Sequence, residues 1–530
     1  MTERMRLSIM DGMFLLADTR ETPMHVGGLQ VFKVPPRARA HFVATLYAKL
    51  RTFPVTLPPL NYRLIGGVAG TVMPSWEVVE DVDLNYHVRH SALPGPGGER
   101  ELGMLVSRLH STRMDLSRPL WEYHLIEGLA GDRFAVYTKL HHAMVDGAAA
   151  MRLVNLATDP AASFGPPFWA DESKRPQDST ARSHGLIESL STTIEDEVKS
   201  LPSLARSLAT TAQAALGMGA EPDLASIAEA PRTLLNVRVG AQRRVATYAV
   251  GLQRLKAIGA AAGGTINDVV LAACSGALRR YLADRDALPE HTLIAAVPMA
   301  LSHATGATAG NAVSALIARL GTDTDDVRQR FETICRSTAA GKAQLKGMTQ
   351  TAAMHFVTLL SAPMLLTWLP GVDQLIGPQS NLIISNLPGS RERLYFHGAE
   401  MVAHYPVSQV GHGMALNITV LSYAGGLHFG FVACPDAVPS VQRLAVHMEA
   451  AMQELEAVFL KDSPRRTGGE ARRASRKSPA AKRVTRVARG PRRQGANDAD
   501  RVRTRLLRRH PAFLRARFPR VPHGDAFLRL

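Results

Sequence analysis

Residues 131–157 read GDRFAVYTKLHHAMVDGAAAMRLVNLA. Phe134, Val136, Thr138 and Leu140 alternate with Ala135, Tyr137, Lys139 and His141, the two-residue period of a strand. The strand closes on His141-His142, and the Ala- and Leu-rich run after Asp146-Gly147 has helical spacing. HHxxxDG therefore lies on a strand-to-helix loop. Neighbouring residues of a strand point to opposite faces, so one histidine of the doublet reaches a given cavity while Asp146 returns after a turn eased by Gly147.

The chemistry suited to this loop is general-base catalysis. A neutral imidazole with an unperturbed pKa near ~6.5 accepts a proton at cellular pH, and a positioned base contributes about 10²–10⁴-fold to rate. His142 is the expected base, with His141 beside it. Asp146 either orients the imidazole or locks the loop through an arginine. A zinc site is not expected, because HHxxxD has neither the HExxH spacing nor a nearby third His or Cys ligand. The chain contains no GxSxG elbow and no GxxxxGK[ST] phosphate loop. A base without a protein nucleophile points to direct transfer: a bound hydroxyl loses its proton to His142 and attacks an activated acyl carbon.

Outward from the loop, residues 1–158 interleave strand-like GGLQVFKV with helix-like RARAHFVATLYAKLRTF, an α/β pattern. Residues 159–230 form a crossover, first rich in Pro, Ser and charge, then helical over 186–218. Residues 231–460 alternate again, with strands expected at RRVATYAVGL, LIAAVPMAL, NLIISNL, ALNITVLSY and GLHFGFVAC and a helix at INDVVLAACSGALRRYLADR. A closing helix carries Val441, Leu444, Met448, Met452, Leu455 and Phe459 on one stripe. Two similar α/β halves suit a pair of domains with a cleft between them.

At 530 residues, with 46% hydrophobic and 20% charged, the chain is mainly globular and too long for one small module. Its net charge of +16 is local: residues 461–530 hold 22 of the 62 bases and 5 of the 46 acids, so residues 1–460 carry −1. Residues 461–530 read as a basic, disordered tail, and any nucleic-acid contact rests on that tail alone. Three scattered cysteines give no disulfide framework and fit a reducing compartment. No secretory signal is visible, and the apolar stretch at 347–372 is interrupted by His355, Pro363 and Pro370, which favours a buried or interface-lying segment over a membrane span.

Several stretches in order give a resemblance. LSIMDGMFLLADTRETPMHVGGLQVF, Pro119-Leu120-Trp121, the HHxxxDG loop, GGTINDVVLAACSGALRRYL, GNAVSALIARL, NLIISNLPGS and YPVSQVGHGMALNITVLSYAGGLHFGFVACPDAVP resemble the bacterial wax ester synthase/acyl-CoA:diacylglycerol acyltransferase family over about residues 5–460. That family shares the two-domain fold of the chloramphenicol acetyltransferase-like enzymes. The resemblance implies two such domains joined by a helical crossover, with the site in a tunnel between them. It implies His142 as base, with His141, Asp146 and Gly147 shaping the loop and Pro119, Leu120 and Trp121 on the acceptor side. Asn267 and Asp268 would approach from the second domain, although Thr265, three residues before Asp268, also reads as the start of a helix cap. Ser385-Asn386 and Gly310-Asn311 are either cleft-lining turns or ordinary strand ends. One departure is that VPMALS at 297–302 lacks the arginine that relatives often carry there.

The implied reaction moves an acyl group from acyl-CoA to diacylglycerol or a long-chain alcohol, with no cofactor. The implied place is the cytoplasm, with the protein peripheral to a membrane or lipid-droplet surface. The rival expectations are a condensation-type enzyme using a carrier-protein thioester and a non-catalytic lipid- or nucleic-acid-associated protein.

Overall fold

The structure, a computed structural model, describes residues 4–7, 9–36, 41–66, 74–144, 158, 161, 165–171, 222–226, 229–300, 313–346 and 377–461. Asp146, Gly147, Gly310, Asn311, the expected helices of 186–218, the 347–372 segment and the tail beyond Lys461 lie outside the described residues.

Seven strands precede the crossover: β1 (Arg4–Arg6), β2 (His25–Lys33), β3 (Tyr62–Ile65), β4 (Ser75–Val78), β5 (Val88–Ala92), β6 (Trp121–Leu129) and β7 (Arg133–His141). The later strands are β8 (Arg244–Gly251), β9 (Ile294–Ala300), β10 (Val313–Arg319), β11 (Leu382–Leu387), β12 (Tyr395–Phe396), β13 (Ala399–Val407), β14 (Leu416–Tyr423) and β15 (Gly426–Ala433). The described helices are α1 (Ile9–Ala17), α2 (Phe42–Leu50), α3 (Leu84–His87), α4 (Glu99–Ser111), α5 (Leu252–Ala262), α6 (Ile266–Ala283), α7 (Val327–Lys346) and α8 (Gln442–Glu456).

Two six-stranded sheets dominate, in the orders β12-β13-β2-β7-β6-β5 and β10-β9-β11-β14-β15-β8, with β1, β4 and β3 in a smaller one. The first sheet does not follow chain order. β13, from the second half, pairs antiparallel with β2, setting Tyr405 opposite Leu29 and Val407 opposite Gly27. β2 in turn pairs with β7 and sets His25 opposite His141. β7 is thus a central strand, buried along nearly its whole length.

The alternation read from the sequence sorts β7 between two cores. Phe134, Val136 and Leu140 join Trp121, Tyr123, Leu125 and Phe32 on one face. Ala135 and Tyr137 join Leu29, Val31, Val106 and Val407 on the other, where α4 packs. The second sheet has its own core around α6, which is buried on almost every side from Asp268 to Leu282. Its nearly continuous apolar sequence follows from that, because α5, α7 and α8 pack around it and its side chains share one core with the sheet. Gly276 permits the close approach of α8: a Cβ there would lie 2.9 Å from the Cβ of Ala451.

The halves are joined by polar seams as well as by β13. Ser107 and Ser111 of α4 accept the N–H groups of Val245 and Arg243 at 2.9 and 2.8 Å through their hydroxyl oxygens. The buried Arg243 guanidinium donates to the carbonyls of Gly240 at 2.6 Å, Glu21 and Val410 at 3.4 Å. Where β15 crosses β13, a Cβ at Gly430 would fall 1.7 Å from the carbonyl oxygen of Pro406, so only glycine fits.

Candidate active site

β7 delivers the histidine doublet to the end of the first sheet, and the two rings meet different surroundings. His141 is buried and His142 half-buried. The His141 N–H donates to the carbonyl of Leu120 at 3.0 Å, and that of His142 to the carbonyl of Met24 at 2.9 Å. The backbone of the doublet is therefore held from both sides, by the turn before β6 and by the turn before β2.

His141 Nδ1 accepts the N–H of Ala143 at 3.1 Å, which leaves the ring proton on Nε2. Nε2 lies 3.7 Å from Asp18 Oδ2, an electrostatic pairing just beyond hydrogen-bond length. Asp18 follows α1 and is 4% exposed. Its Oδ1 accepts the Met24 N–H at 2.9 Å and its Oδ2 the Nε–H of Arg113 at 2.7 Å. Burial pushes the Asp18 carboxyl up, but the pull of His141, the Met24 N–H and Arg113 outweighs it and holds the group below the usual carboxylate range. His142 has a different neighbour: the Phe14 ring of α1 stacks on its imidazole, centroids 4.3 Å apart and planes 16° from parallel.

Pro119, Leu120 and Trp121 are all buried, and the Leu120 carbonyl is the one that the His141 N–H meets. The Trp121 indole donates to the carbonyl of Leu60 at 2.8 Å and stacks on Trp169 at 5.5 Å. In the second half Thr265 caps α6. Asp268 Oδ2 accepts the Thr265 N–H at 2.8 Å and its hydroxyl at 2.6 Å, while Oδ1 accepts the Thr338 hydroxyl at 2.8 Å. Both carboxylate oxygens of Asp268 are therefore engaged in holding the helix start and α7. Asn267, in the same first turn, is half-buried. Ser385 and Asn386 are half-buried in β11, in register with Thr419 and Val420 of β14. Among the described residues no group of three His, Cys, Asp or Glu side chains is placed to hold a metal ion.

Asp18, Arg113 and Phe14 were not singled out by sequence reasoning. Asp18 and Phe14 sit in the quoted stretch LSIMDGMFLLADTRETPMH, and an acid ending an apolar helix was the one available signal.

The wax ester synthase/diacylglycerol acyltransferase catalytic domain matches residues 7–270, and the C-terminal domain of the same family matches residues 309–456. A putative diacylglycerol O-acyltransferase of Mycobacterium tuberculosis is 41% identical over 455 residues, 85% of this chain and 99% of the relative. The O-acyltransferase WSD of Acinetobacter baylyi is 38% identical over 460 residues, 86% of this chain and 98% of the relative. The solved wax ester synthase/diacylglycerol acyltransferase of Marinobacter aquaeolei superposes with a TM-score of 0.68 at 35% identity, covering 86% of this chain and 99% of that one. The first condensation domain of the CDA synthetase shares the fold, with a TM-score of 0.51 at 19% identity over 86% of this chain and 96% of that one.

Proposed function

The chain belongs to the wax ester synthase/diacylglycerol acyltransferase family, and from that premise we propose that His142 is the general base of its O-acyl transfer. The enzyme is an acyl-CoA-dependent O-acyltransferase, with diacylglycerol or a long-chain alcohol as acceptor. The observation that carries the role of His142 is the difference within the doublet. The ring of His141 is buried with one nitrogen bonded and the other facing Asp18, whereas that of His142 is half-buried at the strand's end.

In the proposed step, an imidazole nitrogen of His142 takes the proton of the acceptor hydroxyl as its oxygen bonds to the thioester carbonyl carbon. The tetrahedral intermediate collapses with cleavage of the C–S bond, and the leaving CoA thiolate takes the proton back from the imidazolium. The products are an ester and free CoA, and the step needs no cofactor. Asp146 and Gly147 are assigned to shaping the loop. Asn267 is assigned to donating its amide to the oxygen that gains charge, a role for a fixed dipole.

Long apolar substrates require access to a lipid surface. Among the described residues no single helix is long and apolar enough to cross a membrane. The one bent pair that passes by length and composition is α5 with α6, bent by 99°, and α6 is a core helix. The enzyme is accordingly assigned to the periphery of a membrane or lipid inclusion, with the basic residues of 461–530 as contacts to an anionic surface. Purified protein supplied with acyl-CoA and, in parallel, diacylglycerol and hexadecanol tests the assignment by thin-layer separation of products. Formation of triacylglycerol or wax ester with stoichiometric CoA supports it. Absence of both, with folded protein, refutes it.

A further inference from the structure

The segment from α1 to Met24 touches the doublet at three points. Phe14 lies flat on the His142 ring at 4.3 Å. The Met24 carbonyl accepts the His142 N–H at 2.9 Å. Asp18 holds Met24 in turn, through its N–H at 2.9 Å, and faces His141 Nε2 at 3.7 Å. His141, with its proton fixed on that side, accepts the Ala143 N–H at 3.1 Å through Nδ1. One carboxylate thus governs the backbone on both sides of His142, through Met24 before it and through His141 and Ala143 after it.

The carboxylate is itself anchored. Arg113, beyond the end of α4, donates Nε–H to Asp18 Oδ2 at 2.7 Å and a second N–H to the Asp18 carbonyl at 2.6 Å. The turn that follows is closed by its own threonines. Thr22 donates its hydroxyl to the carbonyl of Ala17 at 2.8 Å, and its N–H reaches the Thr19 hydroxyl at 3.1 Å. Burying a carboxylate costs free energy unless partners offset it, and here the partners lead to the two histidines. A stacked ring also restricts rotation of His142 about its side-chain bonds, which a general base needs if it is to meet the hydroxyl at hydrogen-bond distance.

We infer that Asp18 and Phe14 are positioning residues of the acyl transfer, Asp18 setting the tautomer of His141 and the backbone of His142, and Phe14 setting the plane of the His142 ring. The inference rests on His142 being the base. Neither residue touches substrate in this account, so their effect appears in turnover and hardly in binding.

The test uses the full chain with acyl-CoA and diacylglycerol, measuring kcat, KM and melting temperature for Asp18→Asn, Phe14→Leu and Phe14→Tyr. Asp18→Asn keeps the volume and removes the charge. It is expected to lower kcat by about 10- to 100-fold, with KM for acyl-CoA within about threefold of wild type. Phe14→Leu keeps apolar volume without the ring plane and is expected to lower kcat by about fivefold or more, whereas Phe14→Tyr, which keeps the plane, restores it. In a His142→Ala background Asp18→Asn is expected to cause no further loss, because it acts through the missing ring. Should Asp18→Asn melt below the assay temperature, the Phe14 pair decides alone: wild-type kcat in Phe14→Leu overturns the inference. So does a loss confined to KM, or an equal loss from Asp18→Asn with and without His142. Full activity of His142→Ala itself refutes the base assignment, a different outcome from an inactive His142→Ala beside unaffected Asp18→Asn and Phe14→Leu.

Discussion

On the face of β7 that carries Tyr137, Lys139 and His141, the buried ionisable groups form a hydrogen-bonded network, although Nδ1 of His25, Nδ1 of His124 and Nε2 of His141 have no hydrogen-bond partner. Lys139, fully buried, donates to the carbonyls of Thr112 at 2.5 Å and Leu109 at 3.2 Å and lies 3.5 Å from Glu122 Oε2. Glu122 takes a hydrogen bond from His124 Nε2 at 3.0 Å. The Tyr137 hydroxyl meets His110 Nδ1 at 2.8 Å, and His110 Nε2 donates to the Ser408 carbonyl at 2.8 Å. On the other face, the hydroxyl of Thr138 and both polar atoms of Gln30 on the adjacent β2 are buried with no partner. That face continues through Leu140 toward His142. The first face holds its ionisable pair, Lys139 and Glu122, in hydrogen bonds, and the face leading to His142 leaves neutral polar atoms of Thr138 and Gln30 without them. Changes on the first should therefore be paid in stability, and changes on the second should not.

The largest effect expected is on the face with the buried ionisable pair. Glu122→Ala leaves the Lys139 ammonium buried without its carboxylate, and urea denaturation should show a loss of about 3–5 kcal/mol. A loss below about 1 kcal/mol would mean that the carbonyls of Leu109 and Thr112 suffice and that the network is incidental.

Acid probes the same face. Burial pushes the His110 imidazole down to about 3, so the folded protein keeps it neutral while the unfolded chain takes up a proton near 6.5. Stability from this group is complete above 6.5 and is lost as pH falls from there toward 3, by about 1.4 kcal/mol per pH unit. Burial raises the Glu122 carboxyl, but the His124 hydrogen bond and the Lys139 charge bring it down to about 2, so its contribution is lost between 4.5 and 2. Melting temperature should fall from pH 7.5 to pH 5, and His110→Gln should flatten that slope. An unchanged slope in His110→Gln would remove His110 from the account.

The smallest effect belongs to the neutral face. Gln30→Leu and Thr138→Val remove polar atoms that have no partner, so each should stay within about 1 kcal/mol of wild type or gain stability. A loss above about 2 kcal/mol in either would show that a partner is present after all and erase the contrast between the faces.

Much of this arrangement was legible before any coordinates. The two-residue period of GDRFAVYTKL sets which residues share a face, and the doublet stands at the end of that strand as its sequence implied. Thr265 three residues before Asp268 announced the cap that the structure contains. Asp18 was not legible as a partner of His141, because nothing local to LLADTRE tells which distant ring the chain will fold against. Nor was the pairing of β13 with β2, since AEMVAHYPV alternates like any strand and its partner is chosen by how the chain returns. The resemblance placed Trp121 on the acceptor side, but its anchor on the carbonyl of Leu60, 61 residues away in the chain, was not legible.

The central claim is that His142 removes the acceptor proton, and CoA release from acyl-CoA and diacylglycerol by His142→Ala tests it most directly. The account predicts a fall of about 10²- to 10⁴-fold in kcat with the melting temperature unchanged. Turnover by His142→Ala equal to that of the wild-type enzyme would contradict it.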